Sequence, residues 1–135
     1  KIRTGGVTPD AFPYPEQLAA FLATAFPSGI SFKATAGLHH PVRRYDESIG
    51  TKMHGFLNLF CGAAFAYAGC NKDTLVRILE EESATEFKFF DTTFVWGEHK
   101  LDLDWLARTR SQFALSFGSC SYTEPVEDLR ALGLL

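Results

Sequence analysis

Apolar and polar positions change their spacing several times along this chain. Between Glu16 and Phe26, Leu18, Phe21, Leu22 and Ala25 recur at helical spacing, which predicts a helix with one buried face. Pro15 suits its first turn and Glu16 the positive end of its dipole, while Pro27-Ser28-Gly29 stops it. Upstream, Lys1 to Thr4 reads as the end of a strand closed by Gly5-Gly6, and residues 7–15, "VTPDAFPYP", as a loop. Downstream, "ISFKATA" reads as a second strand. The first 38 residues therefore predict strand, turn, helix, strand: a βαβ unit with parallel strands and a right-handed crossover.

Residues 41–51, "PVRRYDESIGT", read as a polar loop. "KMHGFLNLFCGAAFAYAG" is apolar nearly all round and predicts a buried helix. Asn71 is placed to cap a helix over "KDTLVRILEEE", with Leu75, Ile78 and Leu79 as its apolar stripe. "FKFFDTTFVW" alternates imperfectly and predicts a strand or a hairpin pair turning at Asp91-Thr92, ended by Gly97. "DLDWLARTRSQFALSF" predicts a third long helix. The tail predicts a short one, capped by Thr123, with Pro125 in its first turn and its end at Gly133. The expectation is an α/β domain: a βαβ unit over residues 1–45, then a mostly helical region over 46–135 with a short hairpin.

Composition narrows the partners. A chain of 135 residues with 46% hydrophobic residues supports one domain with a real core. A net charge of −3 and the absence of any basic run argue against nucleic acid, because phosphate binding needs clustered Lys and Arg. The longest apolar stretch, Phe56 to Ala68, is interrupted by Asn58 and Gly62 and is too short for a membrane span. Cys61, Cys70 and Cys120 form no CxxC pair, which argues against disulfides or structural zinc and for a reduced, cytoplasmic setting. The start "KIRTGG" has neither a Met nor a signal peptide, and suggests the C-terminal piece of a longer chain.

The chemistry gathers at the two strand ends. Each runs from a lysine through a short polar step to glycine: "KIRTGG" and "FKATAGL". Glycines there let main-chain amides approach an anion, and ligands of parallel α/β proteins sit beyond the strands' C-terminal ends. Gly5, Gly6 and Gly37, with Thr35, Arg3 and Arg43, are thus candidates for holding a small anionic or carbonyl ligand; the alternative is that the glycines simply turn the chain. Lys33 interrupts an apolar strand. In a dehydrated cleft its ammonium would be disfavoured and the free amine would attack carbonyls; the alternative is pairing with Asp46 or Glu47. His39 and His40 follow, stiffened by Pro41, and are read as acid–base or anion-binding groups. His54 and Asn58 share one helix face and could meet them. A metal site built from His39, His40 and His54 is a weaker alternative, because no carboxylate stands at diagnostic spacing. Cys120 precedes a helix N-terminus, where thiols gain reactivity, whereas Ser119, Ser121 and Thr123 read as capping residues.

Residues 1–40 resemble the sixth and seventh strands of the class I deoxyribose-phosphate aldolases, a (β/α)₈ barrel family. "KIRTG" corresponds to the family's K-x-x-T-G strand end and "FKATAG" to its F-K-x-x-G-G strand end, in the same order. Arg3 stands where that family has a small polar residue, and Leu38-His39-His40 where it has an apolar residue and an arginine. The resemblance implies that Lys1 forms a Schiff base, that Lys33 activates it by like-charge repulsion, and that Gly37 lies at a phosphate. It also implies that the βαβ unit corresponds to the last strands of a barrel. Over nearly the full length, "KATAGLHHPVR…MHGFLN…FGSC…EPVEDL" also resembles the C-terminal portion of a family of uncharacterised bacterial proteins. The functional expectation is an enzyme, or part of one, acting on a small carbonyl or phosphorylated compound by Schiff-base or acid–base chemistry, without a cofactor. The rivals are a non-catalytic interaction domain and a histidine-based metal hydrolase. A homo-oligomer, or a preceding part of the same protein, would cover what two strands cannot bury.

Overall fold

The structure, a computed structural model, describes residues 1–135. In chain order its first half holds β1 (Ile2–Arg3), α1 (Pro15–Ala25), β2 (Phe32–Thr35), β3 (Arg44–Asp46), β4 (Thr51–Met53) and α2 (Phe56–Tyr67). Its second half holds α3 (Lys72–Glu80), β5 (Phe87–Phe89), β6 (Thr93–Trp96), β7 (His99–Asp102), α4 (Leu103–Gln112), β8 (Ala114–Gly118) and α5 (Thr123–Ala131). The result is a mixed α/β architecture of five helices and three small sheets, ordered β1-β2-β8, β3-β4 and β5-β6-β7.

The opening strand, helix and strand form as the spacing predicts. Pro15 begins α1, and the Tyr14 N–H donates to the Gln17 side chain at 2.8 Å. Leu18, Leu22 and Ala25 are buried on one face, with Phe21 packed against the same core. β1 and β2 pair in parallel, Ile2 opposite Ala34 and Arg3 opposite Thr35. α2 is buried nearly all round, and α3 lays Leu75, Ile78 and Leu79 into the same core. Asn71 caps α3 as expected, accepting from Thr74 N at 2.9 Å.

Beyond residue 46 the region is less helical than the sequence suggests. The segment read as a polar loop contains half of the β3-β4 hairpin, and Lys52 and Met53 lie in β4 rather than in α2. Asp46 closes the turn: its Oδ1 accepts from the Ser48 hydroxyl and from the amides of Ser48 and Ile49. Those bonds, the hydroxyl's above all, hold its carboxyl below the usual range. The alternation is invisible because this hairpin is largely exposed. The predicted β5-β6 hairpin forms, but Gly97, with φ of 55°, turns the chain into a third antiparallel strand rather than ending the unit.

The largest correction falls at "FALSF". Its helical spacing continues that of α4, yet the chain leaves the helix at Phe113 and becomes β8. Strand pairing outweighs the local pattern: Phe32 N donates to Phe113 O at 2.7 Å, and β8 runs parallel to β2 with Phe32 opposite Ala114. The register slips between Phe32 and Lys33, leaving Leu115 as the extra residue of a bulge. One face of this three-stranded sheet is covered. Ala34 is fully buried, and Phe117 stacks on Phe56 of α2 at 5.3 Å. The other face, bearing Arg3, Lys33 and Ser116, is exposed. No helix is long and apolar enough to cross a membrane.

Candidate functional site

Because β1, β2 and β8 are parallel, their C-terminal ends reach one edge of the sheet. Thr4, fully buried, fastens the first two ends together: its hydroxyl donates to Ala36 O at 2.5 Å. The glycines serve the same junction. A Cβ on Gly37 would lie 2.8 Å from Gly5 Cα, and one on Gly5 would lie 2.5 Å from the Phe12 ring. One turn packs on the other, so the repeated glycine is accounted for by close approach of the backbones. Ala36 and Gly37 both take left-handed conformations, with φ of 66° and 76°, and Ala36 is the only non-glycine residue that does so. Holding alanine there costs about 1–2 kcal/mol, and such strain concentrates where the chain must be aimed. Here it turns the chain toward His39 and His40.

Both histidines meet α5. His39 Nδ1 lies 3.2 Å from Glu124 Oε2, and His40 Nδ1 lies 2.5 Å from Asp128 Oδ2. Their rings are 6.4 Å apart and tilted by 55°. A carboxylate only accepts, so the Glu124 contact calls for a proton on His39 Nδ1; in the neutral ring the lone pair is then on Nε2. The segment after the third strand brings a thiol and a hydroxyl beside the ring. Cys120 Sγ lies 3.7 Å from His39 Nδ1 and 3.8 Å from Nε2, and Ser119 Oγ lies 3.5 Å from Nδ1. The near-equal sulfur distances place the thiol midway between the two ring nitrogens rather than against one of them. Thiol, imidazole and carboxylate thus converge from β8's end, β2's end and α5.

Glu124 and Asp128 were not singled out in the sequence. The signal was present: two acids four apart share a helix face, and two adjacent histidines await partners. The capping assignment shifts by two residues, since Ser121 Oγ, not Thr123, accepts from Glu124 N at 3.1 Å. Ser119 and Ser121 are otherwise turn residues as expected, Ser121 N donating to Ser119 Oγ.

His54, Asn58 and Arg43 form a second, buried group. Asn58 is fully buried, accepts from Arg43 N at 2.9 Å, and donates to Ile78 O and Glu81 O at 2.8 and 2.7 Å. His54 Nε2 donates to Pro13 O at 2.6 Å, while Nδ1 accepts from Arg43 Nη1 at 3.2 Å. Burial above all pulls the His54 pKa from 6.5 to about 4, with the Arg43 charge adding to it. The imidazole is therefore neutral at pH 7. His54 precedes α2 and so does not share a helix face with Asn58 as the spacing predicts; both its ring nitrogens are engaged, by Pro13 and Arg43, and neither it nor Asn58 bonds to His39 or His40. No group of His, Cys, Asp and Glu side chains is arranged to hold a metal ion, and His54, bonded to Pro13 and Arg43, stands apart from His39 and His40, so a His39–His40–His54 centre is not formed.

The remaining candidates lie on or beside the open face. Lys33 is exposed, so the dehydration that would free its amine is absent; neither Asp46 nor Glu47 pairs with it. Extending the register sets Lys1 beside Lys33. Arg3 Nε donates to Gly5 O at 2.9 Å, and the Thr35 hydroxyl donates to Ile2 O at 3.3 Å, so both serve the strand ends. Gly6 packs against Ala11 and the Arg3 guanidinium. Two surface depressions, of about 160 and 110 Å³, are lined by Asp102, Asp104, Trp105 and Arg108 and by residues along α5; no sequence candidate lines either. All three cysteines are free. No family model matches the chain, and no curated protein or solved structure matches it significantly.

Proposed function

We propose that this chain is an enzyme, or the site-bearing part of one, that acts by acid–base chemistry on a small carbonyl compound at the C-terminal ends of its parallel strands. The observation that carries the reading is the His39–Glu124 pair at the edge where β1, β2 and β8 finish. A carboxylate fixes the imidazole's tautomer and leaves Nε2 free to take a proton, which is how a positioned general base is built. The parallel strands, covered by helices on one face, support the further reading that they correspond to the last strands of a barrel-type sheet. In such a sheet the open face, with Lys1, Lys33 and Arg3, would border the ligand, and a phosphate would meet those cations. The free thiols favour a reducing, cytoplasmic setting.

The test is proton exchange. Wild-type protein is incubated in D₂O with small aldehydes, ketones and their phosphate esters, and deuterium beside the carbonyl is followed by NMR. Exchange should occur with at least one compound and fall by about 10²-fold or more in His39→Gln. Equal exchange in wild type and His39→Gln would refute it. Borohydride trapping with the same compounds reports the Schiff-base version, through covalent mass on Lys33 or Lys1.

A second reading has its own observation. α5 has no buried residue, yet both histidines hold it through Glu124 and Asp128. Imidazoles that only dock a helix would make this a non-catalytic interaction domain. His39→Gln would then loosen α5 and leave no exchange activity to lose.

A further inference from the structure

We infer that Cys120 is a nucleophile, and that the site accepts an activated acyl group, an ester or a thioester, and hydrolyses it through an acyl-cysteine. The inference rests on the acid–base reading of His39 and names the substrate class for the same site. Three groups from separate elements take the three parts such chemistry needs. The thiol lies two residues past the end of β8 and is exposed to an incoming molecule. The imidazole stands within 3.8 Å of it, and Nε2 makes no bond to any other protein group. Glu124 of α5 holds the imidazole through Nδ1 at 3.2 Å. Nucleophile, base and orienting carboxylate in this order constitute the activated-nucleophile arrangement. The sulfur must move from between the two ring nitrogens toward Nε2; its side chain is exposed, and such contacts tighten when substrate binds.

A fourth element lies next to the thiol. Cys120 sits three residues before α5 begins, and the amides of Tyr122 and Thr123 donate to no protein acceptor. Unpaired amides at a helix N-terminus are suited to an oxyanion. The steps balance without any oxidant. The Cys120 proton passes to His39 Nε2 and the thiolate adds to the acyl carbon. The oxyanion accepts from the Tyr122 and Thr123 amides. The intermediate collapses, and the alcohol or thiol leaves with the proton from His39. Water, deprotonated by His39, then attacks the acyl-cysteine, releasing a carboxylic acid and returning the proton to sulfur. Cys61 and Cys70 cannot substitute. Burial raises both thiols, Cys70 to about 11, and neither has an imidazole partner.

The test uses p-nitrophenyl acetate and an acetyl thioester of N-acetylcysteamine as probes. Intact-protein and peptide mass spectrometry locate the acetyl group, and released nitrophenolate gives the rate. Cys120 should acylate faster than free N-acetylcysteine. His39→Gln should slow this by tenfold or more, and Glu124→Gln should slow it less. Cys120→Ser, at an exposed position, should abolish it with the circular dichroism spectrum unchanged. Acylation of Cys120 at the free-thiol rate, or equally in wild type and His39→Gln, overturns the inference. Deuterium exchange by the wild-type protein reads the acid–base proposal separately: exchange without accelerated acylation refutes the nucleophile alone, and failure of both refutes both.

Discussion

Replacing Asn58 with alanine removes a side chain that closes three main-chain groups at once. Its Oδ1 accepts from Arg43 N, and its Nδ2 donates to Ile78 O and Glu81 O, all between 2.7 and 2.9 Å. The position has no solvent exposure, so water does not take over these bonds without a cavity being opened. A net hydrogen bond contributes about 1 kcal/mol, and a buried group left unpaired costs about 1–3 kcal/mol. Ile78 O and Glu81 O stand at the end of α3 and are partly relieved by fraying, which brings the sum to roughly 3–5 kcal/mol. At roughly 3–4 °C per kcal/mol for a chain of this size, the melting midpoint should fall by roughly 10 °C or more. Asn58→Asp sharpens the point: it keeps an acceptor for Arg43 N but aims a carboxylate at two carbonyls, and should be at least as damaging. Asn71→Asp is the control. That exposed cap needs only an acceptor for Thr74 N, so stability should change by less than about 0.5 kcal/mol. Urea unfolding followed by circular dichroism gives all three values. A loss below about 1 kcal/mol for Asn58→Ala would show that the three bonds are not what joins α2, α3 and the loop after His40.

His54 makes stability depend on pH. Its folded pKa, about 4, lies below its ordinary 6.5, so the unfolded chain binds the extra proton first. The contribution is full above pH 6.5 and is lost as pH falls toward 4, on the order of 3 kcal/mol in all. Urea titrations between pH 4 and 7 should show that slope flattened in His54→Gln, and an unchanged slope would refute the assignment. Gly37→Ala should cost far more than Gly29→Ala, although both residues have positive φ. At Gly29 the added methyl meets nothing, leaving only a backbone penalty of about 1 kcal/mol, whereas at Gly37 it meets Gly5 Cα at 2.8 Å. Equal thermal shifts for the two would remove close approach as the reason for glycine there.

The opening β1-α1-β2 segment was legible because its signals are local. Pro15, the Leu18-Leu22-Ala25 stripe and the stop at Pro27-Ser28-Gly29 each act within one turn of chain. β8 was not, since nothing in "FALSF" announces that Phe113 and Ala114 will pair with Phe32; that preference exists only once β2 is in place. The β3-β4 hairpin was hidden for a different reason, as a mostly exposed two-stranded ribbon needs no apolar alternation. The site divided the same way. His39 and His40 were legible from composition at a strand end. Cys120 was legible as a thiol before a helix, but its encounter with His39 depends on the pairing of β8. His54 and Asn58, alike in sequence to binding residues, proved to be buried connectors whose polar atoms are already taken.

The open face of the parallel sheet bears on what the strand ends do. Sheets of this kind are normally covered on both faces, and their strands read as continuous apolar runs. Here β2 alternates: Phe32 and Ala34 go to the core, and Lys33 goes outward. Arg3 and Ser116 share that outward face, and the one large apolar residue near it, Leu115, is the unpaired residue of a bulge. A face destined for a hydrophobic cover would not be built from lysine, arginine and serine, because burying unpaired cations costs several kcal/mol each. Such a surface suits water, anions or a polar cleft instead. Its edge carries the thiol, the imidazole and the unpaired α5 amides. Under the proposed function, such a cationic face favours an acidic or phosphorylated compound over a neutral one.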